Sequence, residues 1–498
     1  MLSLRAKRSN LAVSYQNYEI ASSRRLLAMT RCLTSVITLF SPMAKGVKLM
    51  RQERINDAIS FFNGLIARKK SLPDAYYNLG KCYFKTGMLR KAKEAFLALL
   101  SYPVTDETVR GILEITNWRM LASNRYCNNW PSFSCDGSKV AFVSARRDTN
   151  GNGKLDPDDC CGIYIYDLES DTEIAIVDDD FHNMMPVFSP DGGRLAYLSA
   201  RKERVSDPMP GQGSAHGLYI MNLDAGTEEK LLDSSFKVKH VTFSNNGENL
   251  IFSCWRPGHD TSAIYSMNLA NRTMEILVPG VHESTFPSVA ASGNKLVYSS
   301  WRRDTNDDGV INIRDNSGIY LRDMRLSTEQ NIAPDIYNNT FPVFSPNGYD
   351  VLFLSARRDT DGDGRITSQD NSGIYLWDSV LKQERCIVSD RFYNKFAGFT
   401  PDGKEIVFLS HWCTRKCKAE AVDYFQNKGI YLCNLYGKGV RQIVSDKFYG
   451  CRCPAISPKG DFVVYVSWRN DTNRGLYCAC LKRLPSKKEL REWIDSLQ

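Results

Sequence analysis

The chain has no run of about 18 apolar residues, so no helix of it is expected to cross a membrane. It also lacks GxSxG and HExxH, the signatures of a nucleophile elbow and of a zinc-protease helix. Its six histidines form no repeated pair with a carboxylate. With no acid–base or nucleophilic centre in view, a non-enzymatic recognition scaffold is expected, with a hydrolase or lyase at the lower rank. The 15 cysteines show no paired CxxC spacing, which excludes a zinc ribbon. Seven of them follow residue 410: Cys413, Cys417, Cys433, Cys451, Cys453, Cys478 and Cys480. They read as buried thiols, with a disulfide or soft-metal cluster as the alternative. A base-reading motif is missing too. The net charge of +8 comes from residues 1–103, where 18 Lys/Arg face 5 Asp/Glu, while the remainder carries 46 against 51. Nucleic acid is therefore not an expected partner.

What the chain does have is repetition. Residues 1–42 stand outside it and read as a poorly structured leader or a misassigned start, with Met43 as the alternative beginning. Arg24, Arg25 and the interrupted apolar patch from Leu33 to Phe40 only loosely imitate an export signal. Over 43–117 the period is 34: Gly46 recurs as Gly80, Ala58 as Ala92, Phe62 as Phe96 and Leu65 as Leu99. The small residues let paired helices approach closely while the aromatics fill their seam. This segment resembles the tetratricopeptide repeat, which implies antiparallel helix pairs, a capping helix from Asp106, and a groove for a protein or peptide.

A second repeat fills 118–482. Its mark is an aromatic–Ser–x–x–Gly corner, as in FSCDG at Phe133, FSPDG at Phe188, FSNNG at Phe243, FSPNG at Phe344 and FTPDG at Phe399. Val289 and Ile456 open two degenerate copies. The corner glycines fall at 137, 192, 247, 293, 348, 403 and 460. Each is followed by a short alternating β run, and later by a second run of the type GIYIYDL. Short strands at fixed spacing mean an all-β repeat architecture, with Asp-Gly and Asn-Gly supplying tight turns. The pattern resembles the WD40-like propeller repeats of TolB-type proteins. It implies a mainly β fold: a seven-bladed β-propeller of four-stranded antiparallel blades, preceded by the short helical repeat. The seventh unit lacks a fourth strand, and RMLASNRYCNNW from Arg119 aligns with the fourth strands elsewhere. Met120–Ser123 should therefore close the last blade. Residues 483–498 read as an amphipathic helix with a Ser486/Glu489 capping box.

Three units carry a twelve-residue calcium pattern with oxygen ligands at positions 1, 3, 5, 9 and 12 and glycine at 6. The candidate ligands are Asp148, Asn150, Asn152, Asp156 and Asp159 in unit one, and Asp304, Asn306, Asp308, Asn312 and Asp315 in unit four. In unit five they are Asp359, Asp361, Asp363, Thr367 and Asp370. Lys154, Val310 and Arg365, at position 7, would give backbone carbonyls. Up to three Ca2+ ions are expected. Aspartate at position 12 resembles dockerin loops and lowers the expected affinity, which favours the cell envelope over the cytosol. The want of a clear export signal and the many thiols argue the other way.

An arginine recurs just before these loops: Arg146, Arg201, Arg256, Arg302, Arg357 and Arg469, with Trp412 in unit six. Asn128, Asn183, Asn338 and Asn394 stand in the connections on the same face. Together they are expected to form a binding face for a protein or peptide, or else to be tied to neighbouring blades and loop carboxylates. Trp255, Trp301, Trp412 and Trp468 at the rim keep a glycan partner as the alternative. A monomer is expected.

Overall fold

The computed structural model describes residues 42–52, 54–115, 120–123, 125–156, 158–201, 215–259, 261–411, 429–444, 451–467, 474–481 and 484–497. The leader, Trp412, Cys413, Cys417, Trp468 and Arg469 lie outside them. The chain forms two compact units, Met1–Trp118 with Leu484–Gln498, and Arg119–Arg483.

In the first unit, helices Ile55–Ala67, Leu72–Lys85 and Leu89–Leu99 follow Pro42–Arg51. The 34-residue spacing has a direct physical reason. A Cβ on Gly46 would lie 2.4 Å from the Phe62 ring, and one on Gly80 would lie 2.5 Å from the Phe96 ring. The helix Lys487–Ser496 has the expected capping box. Its Leu490 and Ile494 are buried with Phe96, Leu99 and Ile112, so the C-terminus completes this helical core. Among the described residues no helix is long and apolar enough to cross a membrane.

The second unit is a seven-bladed propeller of four-stranded antiparallel sheets. Each corner forms as its residues dictate. In unit two, Gly192 (φ +72°) donates its N–H to the Ser189 carbonyl, and Arg194 N–H donates to Ser189 Oγ, both at 2.9 Å. The second and third strands of every blade face one another through a stacked aromatic pair. The pairs run from Phe142–Tyr164 to Tyr465–Tyr477, with ring centroids 5.7 to 6.0 Å apart. The glycine before the third-strand tyrosine leaves room for the fourth strand: a Cβ on Gly162 would stand 2.7 Å from the Val177 carbonyl. Met120–Ala122 pairs with Gly475–Cys480, placing Met120 opposite Tyr477, so the ring closes as expected and the last blade has no missing strand.

Candidate functional site

In a regular strand, neighbouring side chains point to opposite faces. The innermost strands of six blades break that rule with a bulge. The register shifts fall at 129/132, 184/187, 285/288, 340/343, 395/398 and 452/455. At each bulge a residue takes positive φ: Trp130, Met185, Phe286, Phe341, Phe396 and Cys453. Proline follows five of the six, where the bulge leaves its missing N–H without a ladder partner to forgo. The bulge turns two consecutive side chains toward the central channel. Asn129 with Trp130, Lys395 with Phe396, and Arg452 with Cys453 accordingly line one cavity of about 470 Å³.

The cavity belongs to blades 6, 7, 1 and 2. It is also lined by His182, Met184, Tyr393, Arg474 and the thiols Cys127, Cys161 and Cys451. Cys161 and Arg474 immediately precede third strands, so the cavity lies toward the face that carries the long second-to-third-strand loops. Across the channel, blades 3 to 5 are filled by rings: His240 packs on Phe286 and Phe286 on Phe341, each with centroids 4.2 Å apart. The open space is thus off-axis because the collar residues differ from blade to blade.

Lys395, Arg452 and Arg474 make the cavity cationic, and among the described residues no carboxylate lines it. Burial, and then the Arg474 charge, lower the affinity of Arg452 for its proton. Burial also holds His182 below the usual histidine range, so its imidazole is neutral near pH 7. Burial pushes Cys453 up to about 11 and raises Cys127 and Cys161, which keeps these thiols protonated and non-nucleophilic. The described cysteines are unbridged, and none joins a group of metal-type ligands.

The three acidic loops fold alike. In each, the position-12 aspartate turns into the blade: Asp159, Asp315 and Asp370 are 0 to 1% exposed. Asp159 Oδ1 accepts from Thr149 N–H at 2.8 Å and from Asn150 N–H at 3.2 Å, while Oδ2 accepts from Asp156 N–H at 2.9 Å. Asp315 and Asp370 repeat the contacts with Thr305 and Thr360. Position 12 therefore braces the loop through its own N–H groups. At the other end, Asp359, Asp361 and Asp363 bring carboxylate oxygens within 4.8 Å of one another, a set that could hold a metal ion. The Asp363 N–H draws Asp361 down, but burial and the charges of Asp363, Asp370 and Asp359 together leave it above the usual carboxylate range.

The recurrent arginines are engaged by their own blades. Arg146 pairs with Glu173, Arg302 with Glu329, and Arg357 with Glu384; Arg201 pairs with Glu228 and Asp179. Each also lies over the third-strand tyrosine, at 3.5 Å for Arg146 on Tyr164. Arg256 has Tyr265 beneath it, but Met274 stands where blades 1, 2, 4 and 5 have glutamate. The asparagines staple blade to blade. Asn183 Nδ2 donates to the Cys161 carbonyl at 3.0 Å, Asn394 to that of Ser372 at 2.8 Å, and Asn128 to that of Arg474 at 2.6 Å. In blade 5 the stapling residue is Asn339, bonded to the Ser317 carbonyl at 2.9 Å, and not Asn338. Asn339 stands five residues before the corner Phe344, as Asn128, Asn183 and Asn394 stand before theirs, whereas Asn338 is one residue out of that register. Of the rim tryptophans, Trp301 is buried and donates to the Asp315 carbonyl at 3.0 Å, and Trp255 is covered by Lys239. The aromatic rings that line the cavity are Trp130, Tyr393 and Phe396, none of which the sequence pattern singles out.

No family model matches the chain. A curated relative, the uncharacterized peptidase YuxL of Bacillus subtilis (strain 168), is 26% identical over 121 residues. That match spans 24% of this chain and 16% of that protein, so the chain covers about a sixth of the relative it resembles. An oligogalacturonate lyase from Vibrio parahaemolyticus superposes with a TM-score of 0.51 at 12% identity, over 73% of this chain and 93% of that one. An oligogalacturonate lyase in complex with manganese gives 0.51 at 13% identity, with the same coverage. A prolyl endopeptidase gives 0.50 at 10% identity, over 80% of this chain and 54% of that one. At these identities the likeness to solved structures is one of fold, and the seven-bladed propeller stands. The expectation of a non-enzymatic scaffold does not. Among the proteins that share this ring are a lyase and a peptidase, and the sequence relative is itself named a peptidase. The absence of GxSxG and HExxH misled because it tests for two signatures, not for a cavity assembled from four blades.

Proposed function

We propose that the chain is an enzyme that cleaves acidic oligosaccharides by β-elimination at the channel-mouth cavity. The observation that carries this reading is the lining itself: three cations, a neutral buried imidazole and the aromatic rings of Trp130, Tyr393 and Phe396, with no carboxylate among the described residues. Lys395, Arg452 and Arg474 bind the carboxylate of a uronate ring and withdraw charge from its α carbon. His182 accepts the proton from that carbon. The electron pair forms the new carbon–carbon double bond, and the glycosidic oxygen on the β carbon departs and is protonated from solvent. The reaction class coincides with the one named for the lyase that shares the fold.

A divalent ion does not suit the cationic cavity, so no step is routed through one. It suits Asp359, Asp361 and Asp363, and we assign calcium there first, with the loops at Asp148 and Asp304 filling later because each offers fewer carboxylates. The ion at these sites stiffens a loop on the propeller. The helical unit keeps its reading as tetratricopeptide-type pairs presenting a groove to a protein or peptide.

The test is incubation with oligogalacturonate, a neutral oligosaccharide and an acidic peptide. Elimination gives an unsaturated product that absorbs in the ultraviolet and has gained no water. Cleavage of the peptide alone would replace this reading with a peptidase.

A further inference from the structure

We infer that Trp130 and Phe396 are specificity-determining residues, two ring platforms that hold the apolar face of a sugar while the neighbouring polar residue holds its charge; this rests on the reading of the cavity as an acidic-glycan site. Three observations converge. First, both side chains line the cavity, and Phe396 is 40% exposed although it is a large hydrophobic residue on an inner strand. Second, both sit at the bulge with φ of +45° and +50°, a region that bulky residues rarely adopt. The bulge is common to six blades and is architectural, but the side chain it displays is not fixed by it. The same position is Met185 in blade 2 and Cys453 in blade 7, so an aromatic ring is not demanded by the fold. Third, the aromatic collar residues divide into two groups. His240, Phe286 and Phe341 pack in a row away from the cavity, with Phe341 still 47% exposed, whereas Trp130 and Phe396 line it beside Asn129 and Lys395.

A cation and a ring side by side on one strand suit a ligand that is both charged and flat-faced. A pyranose carboxylate has both properties, and a small inorganic anion has only the charge. The pairing therefore selects chains of acidic sugars over sulfate, phosphate or flexible acidic peptides. The bulge makes this selection possible, because without it Lys395 and Phe396 would face opposite sides of the strand.

The experiment compares KM and kcat for trigalacturonate in the unaltered protein, Trp130→Leu, Phe396→Leu and Trp130→Tyr. Either leucine variant should raise KM about tenfold with kcat kept, and Trp130→Tyr should restore most of the loss. Competition by sulfate should become relatively stronger in the leucine variants. Melting curves that match the unaltered protein show that the variants are folded, and Phe396→Leu, at an exposed position, remains informative if Trp130→Leu is destabilised. If trigalacturonate is turned over but both leucine variants keep KM within about twofold, the platforms are refuted and the site stands. If the unaltered protein neither binds nor cleaves it, the underlying reading falls and this inference falls with it.

Discussion

Removing the guanidinium of Arg357 tests whether the arginine ring serves the blades. Its two nitrogens meet Glu384 at 2.6 and 2.7 Å, and the group lies 3.7 Å from the Tyr375 ring centroid. The side chains are 16% and 28% exposed. That is too buried for a surface pair worth about 0–1 kcal/mol, and too wet for the 3–5 kcal/mol lost when a fully buried pair is broken. An intermediate coupling of about 2 kcal/mol is expected from a double-mutant cycle of Arg357→Ala and Glu384→Ala. Arg357→Ala alone should lower Tm by about 3 °C in a unit of this size. Blade 3 supplies the control. Arg256 stacks on Tyr265 at 4.9 Å, but Met274 replaces the glutamate, so Arg256→Ala should cost about 1 kcal/mol or less. The assay is urea unfolding with heat denaturation as a check. A coupling under about 0.5 kcal/mol, or equal losses for the two arginines, would refute the reasoning.

Calcium should raise Tm, by about 2.7 kcal/mol of stability at a hundred times its dissociation constant, and Asp361→Asn should blunt the first phase; calorimetry with no uptake at millimolar calcium would remove the site. Leu121 is buried against Val464 and Leu476 in the closing strand, so Leu121→Ala should cost about 2–3 kcal/mol, read as a shift in the urea midpoint. His240 is held down to about 3 by burial, whereas the unfolded chain takes its proton near 6.5. The unfolded state thus binds the extra proton between those values, and stability should fall as pH drops through that window, by about 1.4 kcal/mol per unit at most. His240→Phe, which copies the collar of blades 4 to 6, should flatten that acid slope in a series of urea titrations.

The corners and the closing strand were legible because they depend on local rules. Gly192 must take positive φ, and Met120–Ala122 repeats the fourth-strand pattern of the other blades. The arginines were legible as a ring, but their partners were not, since Glu384 lies 27 residues from Arg357 and becomes its neighbour only through strand pairing. The cavity was missed for a different reason. A hydropathy alternation of two assigns Lys395 and Phe396 to opposite faces, and the bulge that unites them has no hydropathy signature. A signal did exist. Trp130-Pro131, Met185-Pro186, Phe286-Pro287 and Phe341-Pro342 stand at one fixed distance before the corner phenylalanine or valine, and a repeated proline within an inner strand marks a bulge.

The account rests most directly on His182. With oligogalacturonate as substrate, His182→Gln should lower kcat by about 10²–10⁴-fold while leaving KM within about threefold, since the cations and rings that bind the sugar remain. Unchanged kcat in a folded His182→Gln variant, or no unsaturated product from the unaltered protein, would contradict it.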